Sequence, residues 1–163
     1  MAAPTAELAR RGWRARQLHV GPDGRVAAEQ MTELLSPDTR LVSVMLANNE
    51  TGVLQPVAEL AQICAQRGVA LHTDAVQVVG KLPVDFGALG VSTMSVAAHK
   101  FHGPVGIGVL AVRHDVDIEP HWFGGFQQHA LRPGTENVVL AVGMQAALEA
   151  FVQEASERAE RLR

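Results

Sequence analysis

The sequence has 163 residues, of which 47% are hydrophobic and 19% charged, a size and composition that indicate one soluble globular domain. Its 14 Lys and Arg against 17 Asp and Glu give a formal net charge of −3 without long blocks of like charge, so bulk charge predicts neither a nucleic-acid nor a membrane-surface partner. The single cysteine excludes a disulfide scaffold and a cysteine-cluster metal site, and the lack of a long apolar run predicts no signal peptide and no membrane span, which favours the cytoplasm.

Short aliphatic runs alternate with amphipathic stretches, the pattern of an α/β fold with a largely parallel sheet. In chain order this pattern predicts a strand over 14–20, a helix over 27–35, a strand over 40–46, a helix over 56–67, strands over 69–73, 93–97 and 106–112, and a helix from about 136 to the C terminus. The run 40–46 is nearly continuous in apolar residues, which predicts burial on both faces. The charged residues of 154–163 predict a solvated end.

The clearest helix is the one predicted over 56–67. Its apolar residues Val57, Leu60, Ala61 and Cys64 follow the spacing of one helical face, which predicts that all four pack on the core.

Polar segments follow three of the predicted strands: 48–50, 74–77 and 99–103. In open α/β sheets, ligands bind outside the carboxyl ends of the strands. The sequence therefore predicts a ligand site where these three segments meet.

Two side chains at this edge suit the chemistry of one cofactor. Lys100 follows the strand predicted over 93–97, and an amine held against apolar neighbours is nucleophilic enough to form an imine with a carbonyl cofactor. Asp74 follows the strand predicted over 69–73, and a carboxylate can hold the proton on a pyridinium nitrogen. Together they predict a pyridoxal 5'-phosphate site. Taken singly, Lys100 could be a surface lysine and Asp74 a helix N-cap.

Five segments resemble a known family in order and spacing. They are Asn-Asn-Glu-Thr-Gly at 48–52, His-Thr-Asp-Ala-Val-Gln at 72–77, Gly-Lys-Leu-Pro-Val-Asp at 80–85, Ala-His-Lys-Phe-His-Gly-Pro at 98–104 and Leu-Arg-Pro-Gly-Thr-Glu-Asn at 131–137. From about residue 14 to the C terminus, the chain resembles cysteine desulfurases and selenocysteine lyases, which belong to the class V aminotransferase-like group of fold-type I enzymes. The resemblance implies an α/β fold with a mostly parallel sheet flanked by helices, part of the large domain of such enzymes.

The resemblance also implies roles for individual residues. Lys100 would form the imine with pyridoxal phosphate, and Asp74 would hold the proton on the ring nitrogen. Gln77 would donate a hydrogen bond to the phenolate oxygen of the cofactor, and Asn49 would lie near that oxygen and the substrate carboxylate.

Two further residues are implied as phosphate ligands: His99, and Thr135, which would reach the cofactor of a partner subunit. Lys81 is interpreted as a turn residue outside the pocket. The chain also departs from the family pattern. Ala97 stands where many members have a phosphate-binding serine, and the glycine-rich segment over 124–130 lacks the charged pair that many members have there.

We expect residues 1–163 to form only part of the large domain. The resemblance implies an N-terminal segment with a phosphate-binding turn and a stacking histidine, and a C-terminal small domain with a substrate-binding arginine and a persulfide cysteine, all outside this chain. Cys64 cannot replace that cysteine, because helical spacing places it on the core face. We therefore expect the isolated chain to be inactive.

The function that the resemblance implies is cleavage of the C–S or C–Se bond of cysteine or selenocysteine to give alanine, in sulfur metabolism and iron–sulfur cluster assembly. Two alternatives stay open: another class V aminotransferase or epimerase, and a truncated non-catalytic domain that pairs with a relative. The expected partners are the amino-acid substrate, a sulfur-acceptor protein and a second copy in a homodimer. His99 and His102 lie three residues apart without a further ligand at a matching spacing, so no metal site is predicted.

Overall fold

A computed structural model describes residues 2–161, and for residues 2, 155, 156, 158, 159 and 161 it describes the backbone only. The helices are α1 (Ala2–Arg10), α2 (Ala28–Leu34), α3 (Val57–Gln66), α4 (Phe86–Leu89) and α5 (Val138–Arg161). The strands are β1 (Leu41–Met45), β2 (Ala70–Asp74), β3 (Thr93–Ala97) and β4 (Gly108–Val112). Short 3-10 helices span Ala98–Phe101 and Gln127–Ala130.

The four strands form one mixed sheet in the order β1-β2-β3-β4. β1, β2 and β3 run parallel, and β4 pairs antiparallel with β3. The predicted fold class is confirmed: the sheet is mostly parallel and helices flank it. The predicted helices over 27–35, 56–67 and from 136 are confirmed as α2, α3 and α5, and four of the predicted strands are confirmed as β1 to β4.

The predicted strand over 14–20 is wrong. Among the described residues this segment forms only one isolated bridge, between Val20 and Val26. The backbone N–H of His19 donates to the side chain of Gln30 at 2.6 Å, and Arg16 donates to the carbonyl of Leu34 at 3.0 Å. This segment therefore bonds to α2 and the residues around it instead of to a neighbouring strand.

The core lies between one face of the sheet and α3. Val57, Leu60, Ala61 and Cys64 are all buried, which confirms the predicted apolar face of that helix. Against them pack alternate residues of the strands, including Val44 and Leu71. Burying such side chains removes apolar surface from water and stabilises the fold by about 1.5–3 kcal/mol for each large residue.

The expectation that 40–46 is buried on both faces is wrong for the described chain. β1 is the edge strand of the sheet, and its burial alternates: Val42 and Val44 are buried, Ser43 and Met45 are half-buried, and Leu41 is 56% exposed. No second β-strand of the described residues pairs with its outer edge.

The carboxyl-terminal helix supports the turn that follows β3. α5 packs against the 3-10 helix Ala98–Phe101, and a Cβ at Gly143 would lie 3.2 Å from Pro104. Met144 and Phe151 are buried, whereas Glu154, Glu157 and Glu160 are exposed, as the charge pattern predicts. No helix in the described range combines the length and hydropathy that crossing a bilayer requires.

Candidate active site

The predicted ligand edge lies at the carboxyl ends of β1, β2 and β3. Because these strands are parallel, the segments that follow them emerge at the same edge of the sheet. Asp74 is the last residue of β2 and pairs in register with Met45 of β1 and Ser95 of β3. Lys100 lies three residues beyond the end of β3. The topology therefore places the predicted amine and carboxylate on neighbouring strand ends.

Asp74 is half-buried and has one oxygen engaged. Its Oδ1 accepts the backbone N–H of Val76 at 3.0 Å, while Oδ2 has no hydrogen-bond partner among the described residues. Residues 75–81 form hydrogen-bonded turns instead of an α-helix, so Asp74 is not a helix N-cap. One carboxylate oxygen fixes the turn and the other is available to a ligand.

His72 supports Asp74 from the same face of β2, because side chains two residues apart along a strand share a face. Its Nδ1 lies 2.8 Å from Thr93 Oγ1 and its Nε2 lies 3.2 Å from Ser95 Oγ. Burial lowers the pKa of the imidazole below 6.5, and the negative charge of Asp74 opposes that shift. The sequence analysis assigned no role to His72. Its position two residues before Asp74 in the same predicted strand indicates a shared face and could have identified it.

Lys100 lies on the 3-10 helix that follows β3. The buried side chains of Ala98 and Phe101 anchor this turn, and His102 closes it with a left-handed backbone at φ 65°. His99 and Lys100 are both exposed. A lysine amine becomes nucleophilic when apolar neighbours enclose it. Within the described chain Lys100 is not enclosed in this way, because Ala98 and Phe101 are buried on the opposite side of the turn.

Lys81 lies in a turn, and its side chain borders a hollow next to the candidate site. Lys81 lines a hollow of about 420 Å³ together with Asn49 and Gln77. Its Nζ donates to Gln77 Oε1 at 2.9 Å and to the Gln77 carbonyl at 3.0 Å. Burial lowers the pKa of Lys81, and the positive charge of Lys100 lowers it further. The two lysines of the chain therefore lie within electrostatic reach of each other.

Asn48 shapes the loop that presents Asn49. Its Oδ1 accepts the backbone N–H groups of Glu50 and Thr51, each at 2.9 Å, and the Thr51 hydroxyl at 3.1 Å. Such side-chain bonds to the following backbone are what make asparagine a turn residue. Asn49 is exposed beside this turn. The sequence analysis did not assign a role to Asn48. An asparagine followed four residues later by a glycine is a turn signal in the sequence, and Gly52 has a positive φ in the structure.

The hollow brings some predicted residues together and leaves others apart. Asn49 and Gln77 line it, while Asp74 and Lys100 lie outside its lining. Thr135 lies in the exposed loop before α5. A larger hollow of about 500 Å³ is lined by residues around 19–30 and shares none of the predicted site residues. The larger of these two hollows is therefore not the candidate site.

The chemistry of the side chains fits pyridoxal phosphate. A primary amine, a carboxylate with an unpaired oxygen and two carboxamides lie along one sheet edge, which matches the carbonyl, ring nitrogen and phenolate oxygen of that cofactor. Within residues 2–161, no group of three or more His, Cys, Asp or Glu side chains is placed to hold a metal ion. Cys64 is only 1% exposed, and burial raises the pKa of its thiol to about 11, so it is an inert core residue.

Comparison with known proteins decides the family. The family model for class-V aminotransferases matches residues 1–162. The chain belongs to the class-V aminotransferase family. It is 47% identical over 148 residues to an IscS-like cysteine desulfurase of Mycobacterium tuberculosis, an alignment that covers 90% of this chain and 38% of the relative. The chain thus spans less than two-fifths of that relative's length.

Solved structures agree with the family and the fold. A NifS-like protein superposes with a TM-score of 0.89 at 41% identity, covering 94% of this chain and 42% of that one. A structure described as SspA in complex with cysteine superposes with a TM-score of 0.87 at 32% identity, covering 91% of this chain and 43% of that one. The resemblance drawn from the five segments is confirmed, and members of this family use pyridoxal phosphate.

Proposed function

We propose that this chain is part of the large domain of a pyridoxal-phosphate-dependent cysteine desulfurase or selenocysteine lyase. The observation that supports it most is the placement of the Lys100 turn and the free Asp74 oxygen on neighbouring parallel strand ends. That placement occurs in a chain 47% identical to a cysteine desulfurase. Pyridoxal phosphate, when bound, supplies an electron sink that stabilises negative charge at the α-carbon of an amino acid.

Lys100 and Asp74 have the central roles in this proposal. The Nζ of Lys100 would hold the cofactor at its carbonyl carbon, and as a free amine it would move protons to and from the substrate. The Oδ2 of Asp74 holds the proton on the ring nitrogen, and the bond from Val76 to Oδ1 keeps the carboxylate in place. His72 lies two residues from Asp74 on the same face of β2, and both of its ring nitrogens are hydrogen-bonded.

Other residues bind and orient. The amide nitrogen of Gln77 donates to the phenolate oxygen, and Asn49 lies beside that oxygen and the substrate carboxylate. His99 contacts the phosphate from the turn that also contains Lys100. Thr135 serves a phosphate in the partner subunit, which agrees with its exposure in the loop before α5. Ala97 has no hydroxyl for the phosphate, so we expect weaker phosphate binding than in members with a serine there.

The same comparison supports a proposal about the substrate class. One structural neighbour was solved with cysteine, and we propose cysteine or selenocysteine as the substrate of the complete protein and alanine as a product. We further propose a cytoplasmic homodimer that passes sulfur to an acceptor protein for iron–sulfur cluster assembly. Residues 1–163 supply the amine and carboxylate, and segments outside this chain supply the persulfide cysteine.

The test is a segment exchange. The matched part of the Mycobacterium tuberculosis relative is replaced by this chain, and the release of sulfide and alanine from cysteine is measured. We expect turnover by the exchanged protein, and a loss of more than about a hundredfold in Lys100→Ala and Lys100→Arg, because neither side chain can form an imine or move the proton. The matched control is Gln145→Ala on the exposed part of α5, which should leave turnover unchanged.

Two results would contradict the proposal. An exchanged protein that folds and binds cofactor but turns over no amino acid indicates a non-catalytic domain. Formation of a keto acid or a racemised amino acid without sulfide indicates another class V activity.

A further inference from the structure

The two lysines of the chain lie on neighbouring turns that are packed against each other. Lys81 follows Gly80, and a Cβ at Gly80 would overlap the side chain of Phe101, the residue after Lys100. Burial lowers the pKa of Lys81, and the positive charge of Lys100 lowers it further. Lys81 therefore lies at the candidate site although the proposed function gives it no role.

Within the described part of the chain, the Lys81 amine forms hydrogen bonds with one residue. Its Nζ donates to both oxygens of Gln77, the side-chain Oε1 at 2.9 Å and the backbone carbonyl at 3.0 Å. An ammonium group has only donors, so the atom of the Gln77 amide that faces it must be the oxygen. The amide nitrogen then points away from Lys81, which settles the orientation of a group whose two ends otherwise look alike.

The orientation of this amide has a chemical consequence. An anionic oxygen is stabilised by the NH2 end of a carboxamide and repelled by its carbonyl end. The positive charge on Lys81 also polarises the amide and strengthens its N–H groups as donors. Gln77 is half-buried and lines the same hollow as Asn49, so the orientation of its amide decides whether Gln77 presents a donor or an acceptor there.

We propose that Lys81 is a positioning residue that holds the Gln77 oxygen, so that the Gln77 amide nitrogen is presented to the anionic phenolate oxygen of the cofactor. This inference rests on the proposed function, because it assigns a use to Gln77 at that site. Lys81 itself contacts neither cofactor nor substrate.

The experiment uses the chain itself and two substitutions. Lys81→Met keeps the length and apolar stem of the side chain but removes the donor, and Lys81→Arg keeps a charged donor. The first readout, made without cofactor, is the order of the Gln77 side-chain amide in nuclear magnetic resonance relaxation. We expect an ordered amide in the parent chain and in Lys81→Arg, and a mobile one in Lys81→Met. The Gln145 amide, which donates to Glu149 at 2.8 Å, is the internal control and should not change.

The second readout is pyridoxal phosphate affinity, followed by the visible absorption of the bound cofactor. Loss of one oriented hydrogen bond should weaken binding about three- to tenfold in Lys81→Met, with Lys81→Arg close to the parent. Borohydride reduction and mass spectrometry report whether the cofactor is attached at Lys100 in each protein.

The outcomes separate the inference from the proposed function. If Lys81→Met leaves Gln77 ordered or leaves affinity unchanged while Lys100 still binds the cofactor, the inference is overturned and the proposed function stands. A loss of affinity in both variants also overturns it, because it indicates direct contact by the Lys81 amine. If the parent chain takes no cofactor at Lys100, the affinity readout is repeated in the exchanged protein described above, and the lack of an adduct at Lys100 there overturns both the proposed function and the inference.

Discussion

The two faces of the sheet differ in composition and in use. The face against α3 contains buried residues such as Val44, Leu71 and Val96. The other face contains Ser43, His72 and Ser95, which are all half-buried. His72 and Ser95 are hydrogen-bonded to each other. One strand therefore supplies both an apolar support and a polar site, because its side chains alternate. Substitutions at neighbouring positions of one strand should therefore have different effects. A substitution on the apolar face should lower stability, and one on the polar face should change the chemistry of the site.

The largest expected effect comes where the site turns rest on the core. Gly80→Ala should destabilise the chain by about 3 kcal/mol or more, because the backbone has φ +78° and the new Cβ would overlap Phe101. Gly68→Ala is the matched control: its backbone is also left-handed, at φ +65°, but no atom lies within 4 Å of the added Cβ. We expect about 1–2 kcal/mol there. If both variants lose the same free energy of unfolding in urea, the overlap with Phe101 contributes nothing to the destabilisation.

A smaller effect should distinguish the two faces directly. Leu71 is 1% exposed, and Leu71→Ala should lower the free energy of unfolding by about 2–5 kcal/mol through lost burial and a cavity. Ser43→Ala, on the opposite face of the neighbouring strand, should change it by less than about 0.5 kcal/mol. Urea unfolding of both variants measures the difference. A comparable loss in Ser43→Ala would mean that the polar face also holds the sheet together.

The smallest effect is a pH dependence on the polar face. Burial lowers the pKa of His72 in the folded chain below its ordinary 6.5. As pH falls below 6.5, the unfolded chain therefore binds a proton that the folded chain does not, and stability is lost until pH passes the folded pKa. His72→Gln should remove this part of the slope. The measurement is the free energy of unfolding from pH 8 to about pH 5, and an unchanged slope would contradict the assigned environment.

Much of the fold was predictable because burial imposes a pattern on the sequence. Strand β3 coincides with its prediction, and the apolar spacing of α3 identified every core residue of that helix. The strand predicted over 14–20 failed because its polar groups bond to residues far along the chain, which no local pattern records. Helix α1 was overlooked, although its Ala, Glu, Leu and Arg content favours a helix.

The site was predictable at its strand ends and less so between them. Asp74 and Lys100 follow strands, so their shared edge is a consequence of parallel topology. The contact of Lys81 with Gln77 was not predicted, because it depends on the successive turns over 75–82, whose geometry the sequence does not state. The exposure of Lys100 agrees with the surface-lysine alternative, and the sequence could not decide it because it depends on which side of the turn Ala98 and Phe101 bury.

The central claim is that Lys100 is the amine that binds pyridoxal phosphate. The chain has only two lysines, Lys81 and Lys100, so attachment can be mapped without ambiguity. The chain is incubated with pyridoxal phosphate, reduced with borohydride and digested, and the modified peptide is identified by mass spectrometry. The account predicts one adduct, on Lys100, with a lower yield in Asp74→Asn. An adduct on Lys81 or the N-terminal amine instead of Lys100 would contradict it.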